Sequence, residues 1–187
     1  EPETLYSLGG SMLASAHVQE AVYDGPIDSN SFAYQPVILE KLPSLKDGDA
    51  VINAVAVKAG DAVVDNDGNP ATLEAGVKVR PAGCRSGDCA IEYDGTSALQ
   101  IDQMEVTFKL KQGLKWSDGE PLTADDSVYD FELVKDPDTP ASKSLIERCA
   151  SYVAADYLTT VWTGAPGYMD STYFVNFYTP YPEHAWG

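Results

Sequence analysis

The sequence predicts a mixed α/β (α+β) fold in which strands dominate, and three observations carry that prediction. Val106, Phe108 and Leu110 alternate with Thr107, Lys109 and Lys111, the period-two pattern of a half-buried strand. After Leu42-Pro43 the chain turns strongly β-like: Val51 to Lys58 is rich in Val, Ile and Ala, and Asp65-Asn66-Asp67-Gly68-Asn69 is a strong hairpin turn between short apolar runs. Helical spacing, by contrast, is confined to a few short stretches.

Taken in order, residues 13–24 read as a helix with Val18, Ala21 and Val22 inward. After Leu42-Pro43, strands are expected over 51–58, 62–64 and 71–73, with shorter ones over 77–80 and 90–93. The strand through Val106 to Leu110 ends at Gln112-Gly113. Trp116 then leads into Ser117-Asp118-Gly119, where Gly119 can supply the positive φ that a turn needs. Thr123 suits a helix N-cap, since its hydroxyl can accept the amide proton of Asp126, and Asp125 and Asp126 favour the positive end of the helix dipole. Val128, Phe131 and either Val134 or Lys135 follow at helical spacing until Asp136-Pro137 stops the helix. A further short helix is expected over 142–150, with Leu145, Ile146 and Cys149 on one face. Strands over 157–163 and 173–179 are expected to be joined through Gly164-Ala165-Pro166-Gly167.

With 187 residues the chain can bury a proper core, and its 44% hydrophobic and 22% charged shares are those of a globular protein. No run of eighteen apolar residues offers a membrane span. A formal net charge of −17 argues against a nucleic-acid partner, because phosphates call for Lys and Arg. Of the three cysteines, Cys84 and Cys89 flank Arg-Ser-Gly-Asp, a loop short enough to close a disulfide if its geometry permits. A metal site there is the competing idea, but no other Cys or His clusters nearby. Cys149 reads as a small buried apolar residue.

Other constellations have plain explanations. Asp65 to Asn69, with Glu74 beyond, partly imitates a calcium loop, but Val63 would fall at the first ligand position and Pro70 interrupts the pattern, so a turn is preferred. The two histidines, His17 and His184, lie at opposite ends of the chain with no nucleophile elbow or zinc helix around either. Asp118 and Asp126 have structural work as turn residue and helix opener. No catalytic residue, metal or cofactor is therefore expected, and an enzyme is not predicted. Trp116, Trp162, Trp186 and eleven tyrosines leave a carbohydrate-binding module of an exported protein as the alternative reading.

One resemblance adds function. Thr107-Phe108-Lys109-Leu110, Gly113, Lys115 to Gly119, Pro121, Thr123-Ala124 and Asp126 stand at the positions of the signature of the peptide/nickel class of extracellular solute-binding proteins, the capture subunits of ABC importers. Upstream, Glu3-Thr4-Leu5 with His17 to Gly25 resembles that family's first strand and helix, and Tyr34 to Glu40 resembles its next conserved segment. The resemblance implies the β-rich first lobe of a bilobal periplasmic-binding-protein-like fold, incomplete in this chain. Residues 1–45 would form the first strand and helix of that lobe and 46–187 its β-rich subdomain, with an inserted hairpin region at about 46–98 and the second lobe absent.

The same resemblance implies capture of oligopeptides or dipeptides, closure of two lobes on the ligand, and docking on ABC permease subunits. It also implies an extracellular or periplasmic location at the cell envelope, with a lipid anchor outside this sequence as the sole membrane attachment, and an exported compartment would favour a Cys84–Cys89 bond. Ligand contacts would come from Gly10, Ser11, Met12 and Leu13, which correspond to the segment lining the cleft, and from Lys143, whose ammonium could attract a carboxylate. Ser11 stands where the oligopeptide binder carries an acidic residue for the ligand amine.

Overall fold

The computed structural model describes residues 4, 6, 8–9, 12–22 and 25–187. Its centre is a four-stranded antiparallel sheet in the order β3 (Ala50–Val57), β8 (Leu99–Lys109), β10 (Thr159–Gly164), β9 (Cys149–Asp156). The alternation expected at Val106 and Phe108 extends along β8, because even-numbered residues from Asp102 to Phe108 are buried. One cross-strand row shows why the register holds: Ala50, Val106, Trp162 and Tyr152 are direct neighbours, and all are almost fully buried. A one-residue slip would turn all four to the other face.

Over this inner face lies α2 (Ala124–Lys135), with Phe131 against Tyr152 at 5.6 Å and Tyr178 at 5.0 Å between ring centroids. Phe177 closes the same core against Phe108 at 5.5 Å. Ile101 has the opposite parity on β8 and enters a second core with Val57, Val63, Leu73, Val79 and Tyr93. That core is built by two small hairpins, β4 (Ala62–Val64) with β5 (Pro70–Thr72) and β6 (Lys78–Val79) with β7 (Ile91–Glu92). Strand β3, although inside the 46–98 region, is an edge of the main sheet.

Polar contacts fasten the hairpin layer. Asp65 Oδ1 accepts the amides of Asp67 at 2.9 Å and Asn69 at 2.8 Å, so the calcium-like run is a self-satisfied turn. Arg148 donates to the Gly68 carbonyl through Nε at 3.1 Å and Nη2 at 2.8 Å, tying that turn to the start of β9. Cys84 and Cys89 are joined in a disulfide. Beside that loop, Asp102 Oδ2 accepts the Gly83 amide at 2.8 Å and pairs with Arg85. Gly167, at φ +93°, packs so closely on β4 that a Cβ would meet the Val64 carbonyl oxygen at 2.4 Å.

Three expectations change, and one hairpin was not expected. The helix over 142–150 is instead a single 3₁₀ turn, Ile146–Arg148, and Cys149 opens β9, because the register with β10 places Cys149 opposite Gly164 and Tyr152 opposite Trp162. The strand over 173–179 is a 3₁₀ turn, Tyr173–Val175, stabilised by Asp170, which accepts from the Thr172 amide at 2.7 Å and Asn176 Nδ2 at 2.9 Å. The first helix, α1, spans Leu13–Val22. Among its described side chains Ser15 is buried, whereas Ala21 and Val22 are exposed, so the inward face differs from the expected one. A hairpin of β1 (Ile27–Asn30) and β2 (Ala33–Pro36) has no expected counterpart.

Candidate functional site

The signature unit folds around Asp126. The segment after β8 doubles back so that the Trp116 carbonyl accepts the Gly119 amide at 3.0 Å and the Trp116 amide donates to the Glu120 carbonyl at 2.8 Å, with Gly119 at φ +96°. Thr123 then caps α2 in a reciprocal capping box in which its backbone N–H donates to Asp126 Oδ2 at 2.8 Å. The same carboxylate accepts the Trp116 indole N–H at 3.3 Å and the Glu183 amide at 3.2 Å, and the Asp126 carbonyl accepts the Tyr181 amide at 3.1 Å. Asp126 is 5% exposed, so these partners replace the water it gives up.

His184, in the short C-terminal helix α3 (Glu183–Trp186), meets Asp118 of the turn with Nε2 at 2.8 Å from Oδ2. This hydrogen bond and charge pair raise the imidazole pKa above its usual value and hold the Asp118 carboxyl below its own. Neither the histidine contact nor the Asp126 hub forms a nucleophile–base array. Among the described residues no group of three or more His, Cys, Asp or Glu side chains could hold a metal ion.

A cleft of about 230 Å³ opens beside this turn, lined by Val22, Ile38, Leu114, Trp116, Leu122 and Pro180 among others. A second, of about 200 Å³, lies between α2 and the 175–179 segment and is lined by Asp130, Leu145, Trp162, Val175, Asn176, Phe177, Tyr178 and Thr179. Asp130 is 5% exposed. Burial pushes its carboxyl pKa up to about 7, opposed by a hydrogen bond from the Thr179 amide. Its Oδ1 has no hydrogen-bond partner, and neither has the Tyr178 hydroxyl.

Of the expected ligand-contacting residues, Gly10 and Ser11 lie outside the described residues. Met12 precedes α1 and Leu13 begins it, both exposed. Lys143 is half-buried, and its ammonium donates to the carbonyls of Val134, of Asp136 at 2.6 Å and of Thr139 at 3.0 Å, closing the C-terminal end of α2. No hydrogen bond, ion pair or shared cleft joins Lys143 to Met12 or Leu13 among the described residues. Asp130 was absent from the expectations. Its helical spacing from Ser127 and Phe131, both inward, was the available signal.

Comparison with known proteins now bears on this architecture. Residues 96–185, from the start of β8 through the His184 contact, match the family model described as bacterial extracellular solute-binding proteins, family 5, middle region. This stretch is similar to the middle region of family 5 solute-binding proteins. The chain is also similar to the Agrobacterium fabrum protein named "Probable peptide-binding protein YejA", at 49% identity over 35 residues, which is 19% of this chain and 6% of that protein. In fold it resembles a solved oligopeptide-binding protein from Thermus thermophilus, complexed with a pentapeptide, with a TM-score of 0.59 and 15% identity. That match covers 95% of this chain and 22% of the Thermus chain, so this chain corresponds to part of that larger fold. These likenesses lend nothing to a carbohydrate-binding module.

Proposed function

We propose that this chain contributes to the substrate-capture component of an ABC importer that takes up oligopeptides or dipeptides. The observation that carries the reading is the family 5 match across β8, the Trp116–Gly119 turn and α2, the unit organised by Asp126. The names of the Agrobacterium and Thermus proteins, both peptide-binding, support the ligand class. Capture would proceed without chemistry: ligand enters a cleft, lobes close around it by a hinge, and the closed form docks on permease subunits. Export to the periplasm or cell exterior accords with the extracellular family description, and a lipid anchor at the cell envelope is proposed with it. Gly10, Ser11, Met12 and Leu13 remain the proposed lining of the shared cleft. A carboxylate approaching Lys143 would compete with three carbonyls for its ammonium.

A titration and a co-purification test this. The 187-residue chain alone is expected to give no tight calorimetric signal with di- to pentapeptides, because a cleft shared between lobes needs both faces. Submicromolar binding by this chain would show a self-contained site and overturn the shared-cleft reading. In a longer protein carrying this chain, peptides of two to five residues should co-purify and be detected by mass spectrometry. Recovery of oligosaccharides instead would overturn the peptide reading.

A further inference from the structure

The cleft over Asp130 combines features that a packed core does not require. Its walls are apolar and aromatic, from Leu145, Trp162, Val175 and Phe177, while two buried polar atoms, Asp130 Oδ1 and the Tyr178 hydroxyl, are left without partners. Native proteins rarely leave such groups unsatisfied, and an unpaired carboxylate is the costliest of them. Among the described residues no Lys, Arg or His forms an ion pair with Asp130. Among the described residues, the phenols of Tyr6, Tyr152 and Tyr178 interact electrostatically with Asp130, and all three are uncharged near neutrality. Tyr152 is already engaged with Ser127 at 2.7 Å and Thr160 at 3.0 Å and offers nothing further to the carboxyl.

We propose that this cleft is a subsite for a primary alkylammonium group, the side chain of a lysine in a captured peptide, with Asp130 as its counter-ion. About 200 Å³ accommodates a four-carbon stem lying between Trp162 and Phe177, and a stem of that kind is most favourably buried along apolar walls while its charged end finds an acceptor. The ammonium supplies the donors that Asp130 Oδ1 and the Tyr178 oxygen lack, and it returns the carboxyl to its ionised form. Assigning the amine to a peptide rests on the peptide-capture reading above. The subsite itself does not.

The experiment uses n-butylammonium chloride as the probe and the 187-residue chain, followed by amide and indole NMR shifts at Thr179 and Trp162. Saturable binding is expected, about tenfold tighter at pH 8 than at pH 6, because a carboxyl with a midpoint of about 7 is mostly ionised at the first and mostly protonated at the second. The isosteric Asp130→Asn change should weaken binding at least tenfold, and n-butanol should not saturate. Equal affinity at the two pH values, retained affinity in D130N, or saturation by n-butanol would each overturn the proposal, and the pH arm needs no variant to fold. With a longer protein, N-acetyl-lysine methylamide should compete with the probe and triglycine should not. Peptide capture without amine binding here would overturn this subsite alone, whereas amine binding without peptide capture would overturn the transport reading and leave the subsite standing.

Discussion

The Asp126 carboxylate accepts the backbone N–H of Glu183 at 3.2 Å, linking the first turn of α2 to a segment 57 residues later. The same group closes the capping box and holds the Trp116 indole. A single buried carboxylate therefore joins the signature turn, the helix start and the C-terminal helix, which explains in physical terms why one motif contains both Trp and Asp at this spacing.

Asp126→Ala should consequently cost far more than the loss of an ordinary cap. The cap alone is worth about 1 kcal/mol, and charge-assisted hydrogen bonds contribute roughly 1.5–3 kcal/mol each, so a net loss of about 3–4 kcal/mol is expected after relaxation. Urea unfolding measures it. A loss below about 1 kcal/mol would show that the hub is replaced by water without consequence.

His184 and Asp118 form a contact whose strength depends on pH. Because the folded-state pKa of His184 is raised, its contribution is fully present below the usual imidazole value of 6.5 and is lost as pH rises through the higher folded value. Asp118 is shifted downward, so its contribution is present above its usual 3.8 and is lost as pH falls through the lower folded value. The contact is strongest between those limits. Following the His184 ring protons by NMR should give a midpoint above the ordinary one, and Asp118→Asn should move it down. Identical midpoints in the two proteins would show that the pair is not formed in solution.

How far this organisation could be read from sequence varied with its physical origin. The β8–turn–α2 unit was legible because alternation, the Gly119 turn and the Thr123 cap are local chemistry. Strand β9 was not, since Tyr152 is placed by pairing with Trp162 and by packing against Phe131, neither of which leaves a mark within residues 142–156. The β1–β2 hairpin was also silent: Ser31 and Phe32 adopt positive φ of 53° and 64°, and neither position carries the glycine or asparagine that would announce the turn. In the candidate site, Asp126 was recognised as a helix opener but not as a partner of Trp116 and Glu183. Asp130 was missed altogether, because burial of a carboxyl is decided by the tertiary layer that covers it.

Asp130 should reveal itself through the pH dependence of stability. Its folded pKa of about 7 lies above the usual 3.8, so the folded state holds the proton more tightly than the unfolded chain. Stability supplied by the protonated carboxyl is therefore lost as pH rises from about 4 towards 7. Asp130→Asn, which cannot ionise, should flatten this slope and stabilise the protein at pH 8 by on the order of 3 kcal/mol. Parallel pH–stability curves for the two proteins would contradict a buried, unpaired carboxyl.

Lys143 allows a capping role to be separated from a ligand-contacting one. Its ammonium reaches the carbonyls of Val134, Asp136 and Thr139, where the helix dipole leaves partial negative charge and where four carbonyls lack intrahelical donors. Lys143→Met keeps most of the aliphatic stem and removes only the charged donors. If the side chain acts chiefly as a C-terminal cap, the change should cost about 1–2 kcal/mol of stability, and amide exchange should quicken at the end of α2 while β8 stays protected. If Lys143 instead serves a peptide carboxylate, stability should be nearly unchanged and a longer protein should lose affinity for peptides with a free C-terminus but not for their amidated forms. The two outcomes differ in which measurement moves, so one variant examined both ways decides between them.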